Sequence, residues 1–211
     1  KAKGVVFTAP AGGRIMAINR GARRAFRSIV IQLSEDELNG GGEQIEFEHF
    51  KGLSLDGLTR TQAVDLLQEA GLWTAIRMRP YSRVPGSDDT CQAIFVTATN
   101  SHPLAGSMSA KIGDAAGLED GLKVLTTLTD GKVWFCHSSD VAAPSVSGVE
   151  TAQFGGKHPA GLVGTHIHTL APVNRERAVW HLDVQDVMAI GKLFKTGQLD
   201  SFRVISIGGP T

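Results

Sequence analysis

From about residue 52 onward the chain alternates short apolar runs with stretches of helical periodicity, and this alternation restricts the fold more than any other feature. Residues 93–98 (AIFVTA) form a nearly continuous apolar run, as expected for a strand covered on both faces. Lys132 to Cys136, Val163 to Leu170, Ala178 to Leu182 and Arg203 to Ile207 read as further strands. Between them, Leu118 to Leu128 and Val184 to Phe194 repeat apolar residues at helical spacing, the first closed by Asp130-Gly131 and the second followed by Gly197. Upstream, Thr59-x-x-Gln62 has the form of a capping box, with Ala63, Leu66, Leu67 and Ala70 behind it and Gly71 suited to the C′ position. Such alternation predicts an α/β domain over residues 51–211, with a mostly parallel sheet and helices on its faces.

Residues 1–50 read differently. Val5-Val6-Phe7, Ile15 to Ile18, Ser28 to Leu33 and Ile45 to Phe50 run or alternate like strands, with a turn at Asn19-Arg20-Gly21. SEDELNGGGEQ, residues 34–44, reads as a polar hairpin tip or a flexible insertion. The V-x-x-A-P-x-x-G-x-I pattern from Val6 to Ile15 resembles the hammerhead of biotinyl and lipoyl domains, which implies a partial barrel-sandwich β module. The carrier lysine of those domains has no counterpart here, so a structural module is expected rather than a swinging arm.

Charge excludes several functions. The 21 basic residues balance 21 acidic ones, leaving no global positive field for nucleic acid or an anionic bilayer. Aromatic residues make up 6% of the chain, too few to favour base stacking. The longest apolar runs fall far short of the roughly 20 residues that span a bilayer, so membrane attachment is expected through partners. Only Cys91 and Cys136 occur, whereas a cysteine-ligated iron–sulfur cluster needs four thiolates. Their distant spacing gives no support for a disulfide, and a reduced cytoplasmic setting is expected.

The densest candidate chemistry lies in FGGKHPAGLVGTHIHTL, residues 154–170. Loops rich in Gly and His beside sheet ends are where α/β proteins meet ligands or partners. On a strand, His166 and His168 project from one face, roughly 6.6 Å apart along the chain. That spacing suits a metal, with His158, His181, Asp183 or Asp186 as third ligand. The other functional reading is a contact surface for a carbonyl-bearing ligand or a neighbouring subunit, since imidazole donates hydrogen bonds to carbonyls. The plainest reading is a polar strand face. Gly161 and Gly164 allow close approach beside His158.

Elsewhere, Arg77, Arg79 and Arg83 gather around Pro80; their forks suit phosphate or carboxylate, against the plainer reading of a solvated connection. Arg20, Arg23, Arg24 and Arg27 form a second cluster without an amphipathic helix to present them to lipid. No GxGxxG in a strand–helix context, GxxxxGK[ST] or GxSxG occurs, and Ser138-Ser139-Asp140 after Cys136-His137 is a weak basis for a hydrolase.

Read together, KGVVFTAPAGGRIMAINRGARR (3–24), EAGLWTAIRMRPYSRVP (69–85), AIFVTATNSHPLA (93–105) and the 154–194 stretch resemble the A-subunit family of the bacterial sodium-translocating NADH:quinone oxidoreductases. The resemblance spans almost the whole chain. It implies a fragment of a peripheral subunit, truncated at both ends, on the cytoplasmic face of the inner membrane. It further implies a Rossmann-like α/β domain similar to the flavin- and NADH-binding subunit of respiratory complex I, but acting as a scaffold on the quinone-reducing side. FMN, FAD, riboflavin and the iron–sulfur cluster are then expected in partner subunits, and ubiquinone contacts fall first on His158, Gly161, Gly164, His166 and His168. The rival readings are a metal-dependent enzyme built on His166 and His168, and a nucleotide-binding oxidoreductase using the carboxyl edge of the sheet.

Overall fold

The computed structural model describes residues 5–42 and 45–209; Lys1, and Glu43 and Gln44 of the expected hairpin tip, lie outside the described residues. The chain divides into two compact units, one of residues 8–46 and one of residues 1–7 with 47–211.

In the smaller unit, β1 (Gly13–Arg20) pairs antiparallel with β2 (Phe26–Leu33), the register shifting between Ile15 and Ala17 and again between Asn19 and Arg20. A 3-10 turn at Ala22–Arg24 joins them, with Arg23 and Arg24 at positive φ (53° and 59°). Ile15, Met16, Ile18 and Phe26 are each more than half exposed. The segment expected as a polar tip instead starts a short helix, α1 (Glu35–Leu38): the Ser34 hydroxyl accepts from the Glu37 amide, and three acids in the first turn complement the helix dipole.

The larger unit is a five-stranded mixed sheet in the order β3-β7-β4-β5-β6. Its strands are β3 (Arg77–Arg79), β4 (Ala93–Ala98), β5 (Lys132–His137), β6 (Val149–Gln153) and β7 (Val179–Asp183). β7, β4, β5 and β6 run parallel to their neighbours, while β3 lies antiparallel to β7 at the edge. From β4 the chain steps outward to β5 and β6, then returns to the other side of β4 as β7. Right-handed crossovers in opposite directions place their helices on opposite faces. Accordingly, α4 (Leu118–Thr127), between β4 and β5, belongs to one apolar cluster and α5 (Val163–Leu170), between β6 and β7, to another.

The two clusters differ in size. Ile94, Val96, Val133, Phe135, Trp180 and Leu182 face α2 (Arg60–Glu69), α4 and α6 (Val184–Thr196). Ala93, Phe95, Cys136 and Val179 face Ile167 of α5. On the larger side α4 and α6 approach closely through glycines. A Cβ at Gly191 would strike the Gly117 carbonyl and the Gly121 amide, and one at Gly121 the Val187 carbonyl. Mid-helix glycine costs roughly 1 kcal/mol relative to alanine, so its presence here is tied to that approach. α2 carries the capping box read from Thr59 and Gln62, with Gln62 N donating to Thr59 Oγ1 at 3.3 Å and Thr59 N to Gln62 Oε1 at 3.0 Å. The short helix α3 (Met108–Ile112), capped by Ser107, completes the unit.

Four sequence expectations are corrected. Val163 to Leu170 is helix α5, not a strand: Val163, Ile167 and Leu170 recur at i, i+4 and i+7, and that period prevails over the His-x-His spacing. Ile45 to Phe50 is not a strand; Glu48–Phe50 is a 3-10 turn whose Glu48 and His49 amides donate to the Glu69 carboxylate at 2.9 and 3.0 Å. Val5 to Phe7 joins no sheet. Arg203 to Ile207 also joins none, because the Gln185 side chain takes the place of a neighbouring strand, accepting from Val204 N at 2.8 Å and donating to its carbonyl at 3.2 Å.

Candidate functional site

The point where the chain reverses direction across the sheet falls between β4 and β7. Open α/β sheets bind ligands in the crevice beyond their strand ends at such a switch point. A cleft of about 330 Å³ lies there, with Thr97, Thr99 and Asn100 from the end of β4 and His181, Leu182 and Asp183 from β7 in its wall. Arg77, at the start of β3, and Gly161, Leu162 and Val163, at the entry to α5, complete the surroundings with Ala75 and His102.

Gly161 is the pin that brings the glycine- and histidine-rich loop to this edge. Its amide donates to Ser101 Oγ at 2.8 Å, and a Cβ would collide with the backbone of Asn100 and Ser101. Beside it, His158 Nδ1 lies 3.2 Å from both the hydroxyl and the carbonyl oxygen of Ser101, and its ring sits 5.4 Å from that of His102. Two segments about sixty residues apart, NSHP and KHPAG, thus meet over the end of β4.

The helical form of α5 separates the two histidines that a strand would have aligned. Successive helical residues turn about 100°, so residues two apart point in nearly opposite directions. His166 is fully buried against Phe154, ring centroids 4.2 Å apart, with Nε2 3.0 Å from the Ala160 carbonyl and Nδ1 without a hydrogen-bond partner. Burial lowers its pKa, the bond to Ala160 acting the other way. His168 is exposed on the opposite side, and Gly164 is exposed with open space about it. The proposed His-x-His metal grip is therefore lost, and among the described residues no three His, Cys, Asp or Glu side chains gather as a metal cage.

The arginines read as a solvated connection are only partly so. Arg77 and Arg79 are half-buried on one face of β3, while Arg83 is exposed. Arg77 Nη1 donates to the Thr74 carbonyl at 2.7 Å, and Arg79 Nε to His181 Nε2 at 3.4 Å. Burial, reinforced by the Arg79 and Arg77 charges, pushes the His181 pKa down to about 4, so this imidazole is neutral at pH 7. Asp183 caps α6 by accepting from Gln185 N at 2.9 Å and stands 3.9 Å from Lys111 Nζ. Burial raises the Asp186 carboxyl, although Arg203 lies 3.3 Å away. Thr97 carries a buried hydroxyl with no partner. Neither cysteine is poised as a nucleophile or a metal ligand: burial pushes Cys91 to about 11 and Cys136 to about 12. The sequence marks His181 and Asp183 as candidate third metal ligands and Arg77 as one of three guanidiniums suited to an anion, but carries no signal that the fold brings them to one cleft.

A mixed α/β sheet with its crevice at the switch point, joined to a small β module, defines a two-part protein of barrel-sandwich and α/β type. Residues 1–34 match the family described as NqrA N-terminal barrel-sandwich hybrid domain, and residues 58–199 that described as NqrA second alpha/beta domain. The chain belongs to the NqrA family. It is 48% identical over 211 residues to the A subunit of the Na(+)-translocating NADH-quinone reductase of Marinomonas sp. (strain MWYL1), covering 100% of this chain and 46% of that protein. The proteins of the same name from Serratia proteamaculans and Actinobacillus succinogenes are 48% and 49% identical, with the same coverage. The chain thus spans about half the length of the relatives it matches.

Proposed function

We propose that this chain is part of a peripheral subunit of the sodium-translocating NADH:quinone oxidoreductase, on the cytoplasmic face of the bacterial inner membrane. The complex couples electron transfer from NADH to ubiquinone to sodium transport. The observation that carries this reading is the family match across both halves of the chain, together with the three relatives above, each named as the A subunit of that enzyme. Among the described residues no helix is long and apolar enough to cross a membrane, which agrees with attachment through other subunits.

Within that complex the α/β domain serves as a Rossmann-like scaffold, similar in plan to the flavin and NADH subunit of complex I but without a flavin or cluster of its own. The segment after β4, where a phosphate-binding loop would need glycines, reads Thr99-Asn100-Ser101-His102. Two cysteines with raised pKa values are a poor basis for a cluster that needs four thiolates. FMN, FAD, riboflavin and iron–sulfur then belong to partner subunits.

The quinone-side contact is the loop from residue 154 into α5. His158 offers an exposed imidazole at the rim, and Gly161 holds the loop on Ser101. Gly164 and His168 present the open side of α5, while His166 acts from beneath by bracing the Ala160 carbonyl. Photolabelling of the intact complex with an azido-ubiquinone, followed by peptide mapping, tests this. Labels on residues 154–170 are expected, and labels wholly outside them remove the assignment.

A further inference from the structure

The switch-point cleft holds one guanidinium, Arg77, whose hydrogen bonds use a single edge although the Asp186 carboxyl lies within electrostatic reach. Arg77 is anchored by one edge, Nη1 donating to Thr74 at 2.7 Å and, at longer range, to Ile76 at 3.5 Å. Its other N–H groups have no hydrogen-bond partner among the described residues. A guanidinium fixed on one side and free on the other is preorganised for a two-pronged bond to a planar oxyanion. Arg79, two residues along the same face, lies outside the cleft wall and donates from Nε to His181 Nε2 at 3.4 Å. Because His181 Nε2 accepts that bond, the neutral ring carries its proton on Nδ1 and contributes a donor without adding charge.

The rest of the wall sorts by chemistry. Thr97 brings a buried hydroxyl without a partner. Leu162 gives α5 no side-chain cap, which leaves the amides of Val163 and Gly164 at the positive end of the helix dipole. Among the described residues the wall's carboxylate is Asp183, engaged with the Gln185 amide and Lys111, and the nearby Asp186 carboxyl pairs with Arg203 at 3.3 Å while also interacting with Arg77. Ala75, Leu162, Val163 and Leu182 supply an apolar lining. At about 330 Å³ the volume lies at the low end of the range of small-molecule sites, roughly 300–1,000 Å³.

We propose that this cleft binds a compact organic oxyanion, a small apolar ring or chain bearing one carboxylate or phosphate, with Arg77 as its charge partner. Quinones are neutral, so this inference goes beyond the role in the complex and stands or falls separately from quinone labelling.

Calorimetric titration of the full-length subunit with phenyl phosphate and with benzoate tests it and tells phosphate from carboxylate; benzyl alcohol is the neutral control. Saturable binding of at least one anion at one site per chain is expected. The affinity should be tenfold or more weaker for benzyl alcohol and for Arg77→Gln. Since Arg77 also holds the Thr74 turn, crystals of the unaltered subunit soaked with the tighter anion give a readout that needs no variant. The anion should lie between Arg77 and the start of α5. Absence of saturable binding by either anion, an affinity unchanged in a folded Arg77→Gln protein, or an anion located elsewhere overturns the proposal.

Discussion

The two faces of the sheet are built to different standards. On one, α2, α4 and α6 close over a large apolar cluster, and the last two helices touch backbone to backbone through Gly121 and Gly191. On the other, α5 rests on Ala93, Phe95, Cys136 and Val179 with Phe154, Ala171 and Val173 packed beside it, and polar groups begin within one turn of that contact at His166. Free energy of folding scales with apolar area removed from water, so the first face carries most of it. The second face can hold a cleft, a glycine-pinned loop and a half-buried, neutral imidazole at His181 because the first has already fixed the strands. Stability is thus concentrated on one face, while the cleft opens at the strand ends beside the other, with Leu182 of the large cluster in its wall.

Substitution on each side breaks or sharpens this contrast. Gly191→Val should cost more than about 3 kcal/mol in a urea melt, because its side chain meets backbone of α4 that cannot yield. A cost below about 1 kcal/mol would mean the helices separate easily and the contrast is overstated.

The next largest effect is one of pH. Between pH 6.5 and about 4 the unfolded chain binds a proton at His181 that the folded protein refuses. Stability therefore falls as pH drops through that window and levels off below it, by about 2–3 kcal/mol for this group. Denaturation of the parent and His181→Gln across this range isolates the contribution, since His166, shifted in the same direction, remains in both. Parallel curves would refute the half-buried, neutral imidazole.

Gly161→Ala should cost about 2 kcal/mol and release the loop from Ser101, read as a lowered Tm together with faster proteolysis at Lys157. The smallest effect has the opposite sign. Gly164 sits on exposed α5 with open space around it, so Gly164→Ala should stabilise by up to about 1 kcal/mol. Destabilisation there would mean that the α5 face is packed as tightly as the other.

Legibility in the sequence followed locality. The capping box at Thr59 and Gln62, the strands read at 93–98 and 132–136 and the helix read at 184–194 are legible because each is specified by its own residues. In α5, two histidines at a spacing of two mask an apolar repeat of i, i+4, i+7. β6 escaped notice because Val149–Gln153, at the sheet edge, is mostly exposed and carries no apolar run. The segment 203–207 has strand composition, but a Gln185 side chain, nineteen residues away, decides its hydrogen bonds. The site shows the same division. The sequence marked KHPAG and NSHP as unusual, yet their meeting depends on Gly161 fitting against Ser101, a contact sixty residues apart. Arg77 was noticed as one of three guanidiniums, but its half-burial in an edge strand depends on β3 pairing with β7.

Hydrogen–deuterium exchange on the full-length subunit tests the separation of the two faces most directly, because exchange reports the free energy of local opening. Amides of α5 and residues 154–162 should exchange well before those of α4 and α6, with β4 and β5 slowest of all. Protection of α5 equal to that of α6 would contradict the account.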